Sequence, residues 1–149
     1  MHIRYMVVPR LQKEFLWVKH YLNRWKFLED ESIELTVRGR KRTPHFNYFV
    51  NNVEVKCEGV QTEVDAGYEG KASLVLVEAK SSKIKNEIIR QLYFPYRKWL
   101  IDIKKPIRNV FFQFDENSKT LSYWEYGFED YLKYDSIFLI NSKSYQLVK

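Results

Sequence analysis

The stretch VQTEVDAGYEGKASLVLVEAK, residues 60–80, decides the fold. Its second half is apolar from Leu74 to Val77 and then ends in Glu-Ala-Lys. Continuous apolar sequence of this length marks a strand covered on both faces. Side chains alternate along a strand, so Leu74, Leu76, Glu78 and Lys80 project from one face and Val75, Val77 and Ala79 from the other. Residues 59–66 read as a neighbouring strand carrying Asp65, with Gly67 and Gly70 in the turn between the two. Two carboxylates and one ammonium are therefore expected at the ends of adjacent strands. Such a set can hold a divalent metal and a water beside a phosphodiester.

Working outward, Lys83–Leu100 reads as an amphipathic helix. Ile84, Ile88, Leu92, Tyr96 and Trp99, widened by Ile89 and Tyr93, form its apolar face. Asn86, Arg90 and Arg97 fall opposite, and Gln91 falls at the stripe's edge. Pro95 has no N–H for the carbonyl of Gln91, so a bend is expected there. Upstream, residues 11–28 form a second amphipathic pattern, through Leu11, Phe15, Val18, Leu22 and Trp25. Residues 33–37 read as a strand and RGRKRTP, 38–44, as a basic turn. Residues 45–50 and 53–58 read as a hairpin about Asn51-Asn52. Downstream, residues 107–114 and 119–126 form a second hairpin, and 134–140 with 144–148 a third. The order implies an α/β (α+β) protein with a central mixed sheet flanked by helices.

The chain has 149 residues, enough for one domain with a substantial core. It reads as a single unit over 1–149, either complete or the catalytic part of a longer protein. Apolar runs such as LVLV are far too short for a membrane span, and MHIRYMVVPRLQ lacks the pattern of a secretory leader. The single cysteine, Cys57, rules out an internal disulfide, and three scattered histidines lack ligand spacing. A cytoplasmic location with no membrane partner is the expectation. Net charge is +6, which favours polyanionic partners over acidic ones. Arg38, Arg40, Lys41 and Arg42 form one basic block, and Arg90 and Arg97 follow the Glu-x-Lys strand. The bland alternative is that the positive excess serves solubility.

The segments EVDAG and VEAK resemble the acid, then acid-x-Lys, signature of the PD-(D/E)-x-K nuclease superfamily, with Val64 where that family's name has Pro. VQTEVDAGYEG and NEIIRQLYFPYRKWL are most similar to type II restriction endonucleases. The resemblance spans roughly residues 33–114. It implies a restriction-endonuclease-like core and a magnesium-dependent DNA endonuclease, with manganese able to substitute. Asp65 and Glu78 would be metal ligands, and Lys80 would orient the attacking water. Gln91 would be a further catalytic group, supplied by the helix after the lysine strand.

Other residues carry two readings. Glu63, two residues before Asp65, is either a further metal ligand or a surface acid paired with a basic neighbour. Glu69 is a weaker candidate, and Glu14 is either a site acid or a solvated helix residue. Lys80 is either catalytic or a structural partner of the acids. Arg38, Arg40, Lys41, Arg42, Arg90 and Arg97 are candidates for DNA phosphate contacts, or simply exposed basic positions. Double-stranded DNA is the expected partner, with a homodimer expected for a palindromic target. A structure-selective nuclease of the Holliday-junction resolvase kind and a non-catalytic nucleic-acid-binding module are the alternatives.

Overall fold

The structure is a computed structural model and describes residues 33–80 and 89–146. The helix expected over 11–28, Glu14, the first turns of the helix at 83–88 and residues 147–148 lie outside them. The described elements run β1 (Glu34–Arg42), β2 (Phe46–Val50), β3 (Val53–Cys57), β4 (Gln61–Glu69), β5 (Leu74–Lys80), α1 (Ile89–Asp102), β6 (Ile107–Asp115), β7 (Thr120–Phe128) and β8 (Ile137–Gln146). Six strands form one sheet in the order β1-β4-β5-β6-β7-β8, and β2 and β3 form a separate hairpin. Among the described strands, only β5 and β6 pair in parallel. Parallel neighbours need a long crossover, and α1 lies in the connection between them. The protein is thus α+β with a mixed, strand-rich sheet.

The alternation in LVLVEAK is realised. Val75 and Val77 join Ala66, Tyr68, Val110, Phe112, Leu121 and Tyr123 in a core on one face, and Ala79 packs against it. Leu74 and Leu76 belong to the other face, with Val37, Val64 and the helix residue Trp99. Glu78 continues that helix-facing row. The β2–β3 turn forms as expected, with Asn51 and Asn52 both at positive φ (46° and 68°). That is the backbone of the two-residue hairpin turn that asparagine tolerates.

Four local expectations are corrected. RGRKR is not a turn: Arg38–Arg42 extend β1, and Gly39–Arg42 pair with β4. Gly67 lies within β4 opposite Leu76. Its role is close approach, because an added Cβ would sit 2.6 Å from the Val37 Cβ. The last hairpin is instead the single strand β8, which pairs with β7 from Gln146 to Ile137. The long β7 ladder holds Asn141 and Ser142 extended where polarity suggested a turn.

The fourth concerns the helix. It runs through Pro95, and its buried residues are Leu92, Tyr93, Phe94, Pro95 and Arg97. Two flanks are covered, not one. Trp99 meets the sheet, while Tyr93 and Phe94 pack with Phe46, Tyr48, Phe128 and Tyr134. The β2–β3 hairpin supplies part of this second cover. The aromatic rings meet edge-on, as Tyr48–Tyr93 (5.5 Å, 61°) and Phe46–Phe94 (5.9 Å, 86°) show. Such contacts add specificity of orientation to burial. Cys57 is buried in this cluster.

Candidate active site

Asp65 and Glu78 come together because the β4–β5 register, Ala66↔Val77, sets one of them next along each strand. Between the pairs Val37↔Gly67 and Gly39↔Val64, β4 takes three steps where β1 takes two. The bulge falls at Asp65–Ala66, and it splits Val64 and Ala66 between opposite faces. Bulges re-aim a side chain and end pairing locally. Here the β4–β5 ladder stops at Ala66↔Val77. Just beyond that pair, the Asp65 carboxylate accepts the Ala79 N–H at 2.8 Å, so a side chain takes over where main-chain pairing stops.

Glu78 is buried at 6% exposure, with nearly all its carboxylate out of water. Burial above all, with a smaller contribution from the adjacent Asp65, pushes its pKa up from 4.5 to about 7, against the opposing hydrogen bond and charge of Lys80. Glu78 and Asp65 are close enough to share a hydrogen bond when Glu78 is protonated. The Lys80 ammonium forms an ion pair with Glu78 Oε1. Two acids forced together, one of them costly to ionise, form a site that favours a neutralising cation.

A small recess, open to solvent at its mouth, lies beside Glu78 on the helix side. Its walls include Glu63, Leu76, Gln91, Pro95 and Asn109. Gln91 is therefore brought to the same recess as Glu78. Asn109 was missed by sequence reasoning. Its signal was available: a polar residue at the start of the apolar run Val110–Phe112, in register with Leu76. It is 1% exposed, and its Oδ1 has no hydrogen-bond partner among the described residues.

The remaining candidates divide. Glu63 lines the recess, but its carboxylate is half exposed and meets Arg40 Nε at 3.4 Å. The bulge removes the regular alternation on which its sharing a face with Asp65 depended. Glu69 pairs with Lys105 at 2.7 Å. Arg38, Arg40, Lys41 and Arg42 are all exposed on β1, beside the acid-bearing β4. Arg42 also donates to the Gly59 carbonyl at 2.8 Å. Arg90 is exposed and lies over the Phe94 ring at 5.1 Å.

Arg97 is a correction. It does not project into solvent but is buried at 5% exposure. Its guanidinium donates to the carbonyls of Asn47 (3.1 Å) and Tyr131 (3.0 Å) and to Tyr93 Oη (2.7 Å), and lies 4.5 Å from the Phe46 ring centre. The planar fork ties the hairpin and the 129–136 loop to the helix. It is not placed to meet DNA.

Among the described residues no group of three or more His, Cys, Asp or Glu side chains could hold a metal. A magnesium ion bound through one or two carboxylates, with water and phosphate oxygens completing its shell, does not need one. The Asp65–Glu78 pair fits that donor set. No helix among the described residues is long and apolar enough to cross a membrane. No curated protein and no solved structure matches the chain. Residues 17–146 match the family model described as a domain of unknown function, DUF6997, and the chain belongs to that family.

Proposed function

We propose that the protein is a magnesium-dependent DNA endonuclease with a restriction-endonuclease-like core. The observation that carries this reading is the placement of Asp65, Glu78 and Lys80 together where β4 parts from β5. Asp65 and Glu78 would hold Mg²⁺ or Mn²⁺, which supplies Lewis-acid polarisation of the phosphate and a lowered pKa for bound water. The buried Glu78 carboxyl gains most from a cation, because its ionised form is the one burial penalises. Once the carboxylates are neutralised, the Lys80 ammonium is free to donate to the attacking water or a phosphate oxygen. Gln91, on the recess wall, would orient water. Attack by water forms one P–O bond as the bond to the leaving sugar oxygen breaks. The leaving oxygen takes a proton, giving the 5′-phosphate and 3′-hydroxyl ends implied by the resemblance.

The exposed cations of β1 flank this site and suit a phosphate backbone. A homodimer belongs to this reading where the target is palindromic. The test is cleavage of duplex DNA with Mg²⁺, Ca²⁺ or EDTA, by the wild type and by Asp65→Asn, Glu78→Gln and Lys80→Ala. Cutting is expected with Mg²⁺ alone and from the wild type alone, with binding retained in Ca²⁺ and by Lys80→Ala. Equal cutting in EDTA, or by Asp65→Asn, refutes the reading. Cleavage confined to four-way junctions replaces restriction with junction resolution. Binding without cleavage under every condition leaves the nucleic-acid-binding module.

A further inference from the structure

A carboxamide in the middle of a sheet needs a reason. Leaving a buried acceptor unpaired costs about 1–3 kcal/mol, and an aliphatic residue would pack beside Leu76, its partner across the ladder, without that cost. Asn109 nevertheless occupies the position, buried, with Oδ1 unpartnered among the described residues. It shares the recess with Glu78 and Gln91. The interior admits about one water molecule. A buried water typically has about three polar partners. Asn109 Oδ1 and the Glu78 carboxylate can accept its two protons, and the Gln91 side-chain amide can donate to its oxygen.

We propose that Asn109 is a positioning residue that anchors a buried water against Glu78 and so holds this carboxylate in its metal-binding orientation. The proposal rests on the metal-dependent reading of the site. Hydrogen-bonding partners behind a ligand commonly change metal affinity by about 10–100-fold. An apolar replacement of similar size therefore leaves the sheet intact and loosens the ligand.

The experiment measures Mn²⁺ binding by the electron paramagnetic resonance of free Mn²⁺, without DNA, for the wild type, Asn109→Leu and Asn109→Ser. Melting temperatures are taken in EDTA alongside. Asn109→Leu is expected to bind Mn²⁺ about 10-fold more weakly while melting no lower than the wild type. Asn109→Ser, which restores an acceptor and leaves room for water, is expected to recover most of the affinity. Wild-type affinity in Asn109→Leu overturns the proposal and leaves the metal reading standing, as does an Asn109→Ser variant no better than Asn109→Leu. A wild-type chain that binds no Mn²⁺ overturns the metal reading, and this proposal with it. If Asn109→Leu fails to fold, the serine variant decides: a 10-fold loss there refutes the water anchor.

Discussion

Glu78 should make the protein less stable as pH rises, and removing its charge should abolish that dependence. The folded chain holds a proton on Glu78 up to about pH 7, whereas an ordinary carboxyl releases it near 4.5. Between those values the folded state binds more protons than the unfolded state, so stability falls as pH increases. At about 1.36 kcal/mol per pH unit, the interval from 4.5 to about 7 amounts to about 3 kcal/mol. For a domain of this size that is a melting shift of about 6–12 °C. The assay is thermal or urea unfolding of the wild type and Glu78→Gln from pH 4.5 to 8.5 in EDTA. Carboxylates remote from Glu78 contribute alike to both proteins and cancel in the difference. The wild type is expected to lose about 3 kcal/mol relative to the variant across this range. Asp65→Asn should shrink the effect, because the Asp65 carboxylate is one cause of the rise. Added Mg²⁺ at pH 8 should restore stability to the wild type and not to Glu78→Gln. Parallel pH curves for the two proteins would refute the claim that Glu78 is buried against a second acid.

Arg97→Ala should cost about 2–5 kcal/mol in urea unfolding, since it leaves the carbonyls of Asn47 and Tyr131 without their charged donor. Arg97→Lys should not rescue it, because one ammonium cannot reproduce the planar fork. Lys41→Ala on β1 should lower the salt slope of DNA binding by about one unit with unchanged folding stability; an unchanged slope would remove Lys41 from the interface. Gly67→Ala should destabilise by about 1–3 kcal/mol through overpacking, because its Cβ would collide with Val37 at 2.6 Å. Wild-type stability there would mean that β1 and β4 are less tightly apposed.

Several features were legible before any coordinates because they are local. The two faces of LVLVEAK follow from strand alternation, and Leu74–Leu76 and Val75–Val77 do separate as that alternation requires. The Asn51-Asn52 turn and the helix at Gln91 follow from short-range backbone preferences. What required tertiary structure depends on partners distant in sequence. Arg38–Arg42 are strand because β4 lies beside them, 19 to 25 positions away in the pairs from Gly39↔Val64 to Arg42↔Gln61, a separation no local pattern encodes. Arg97 is buried because a hairpin closes over a second flank of the helix, and a helical period reports one stripe without saying what covers the rest. The bulge at Asp65–Ala66 is a mismatch in step count between two strands, visible only once they are paired. Sequence by itself determined which acids and which lysine share the site region. The sheet's register decided how Asp65 reaches β5, and the packing of α1 over β5 and β6 enclosed Glu78 with Gln91 and Asn109, because burial and pairing are properties of contacts and not of residues.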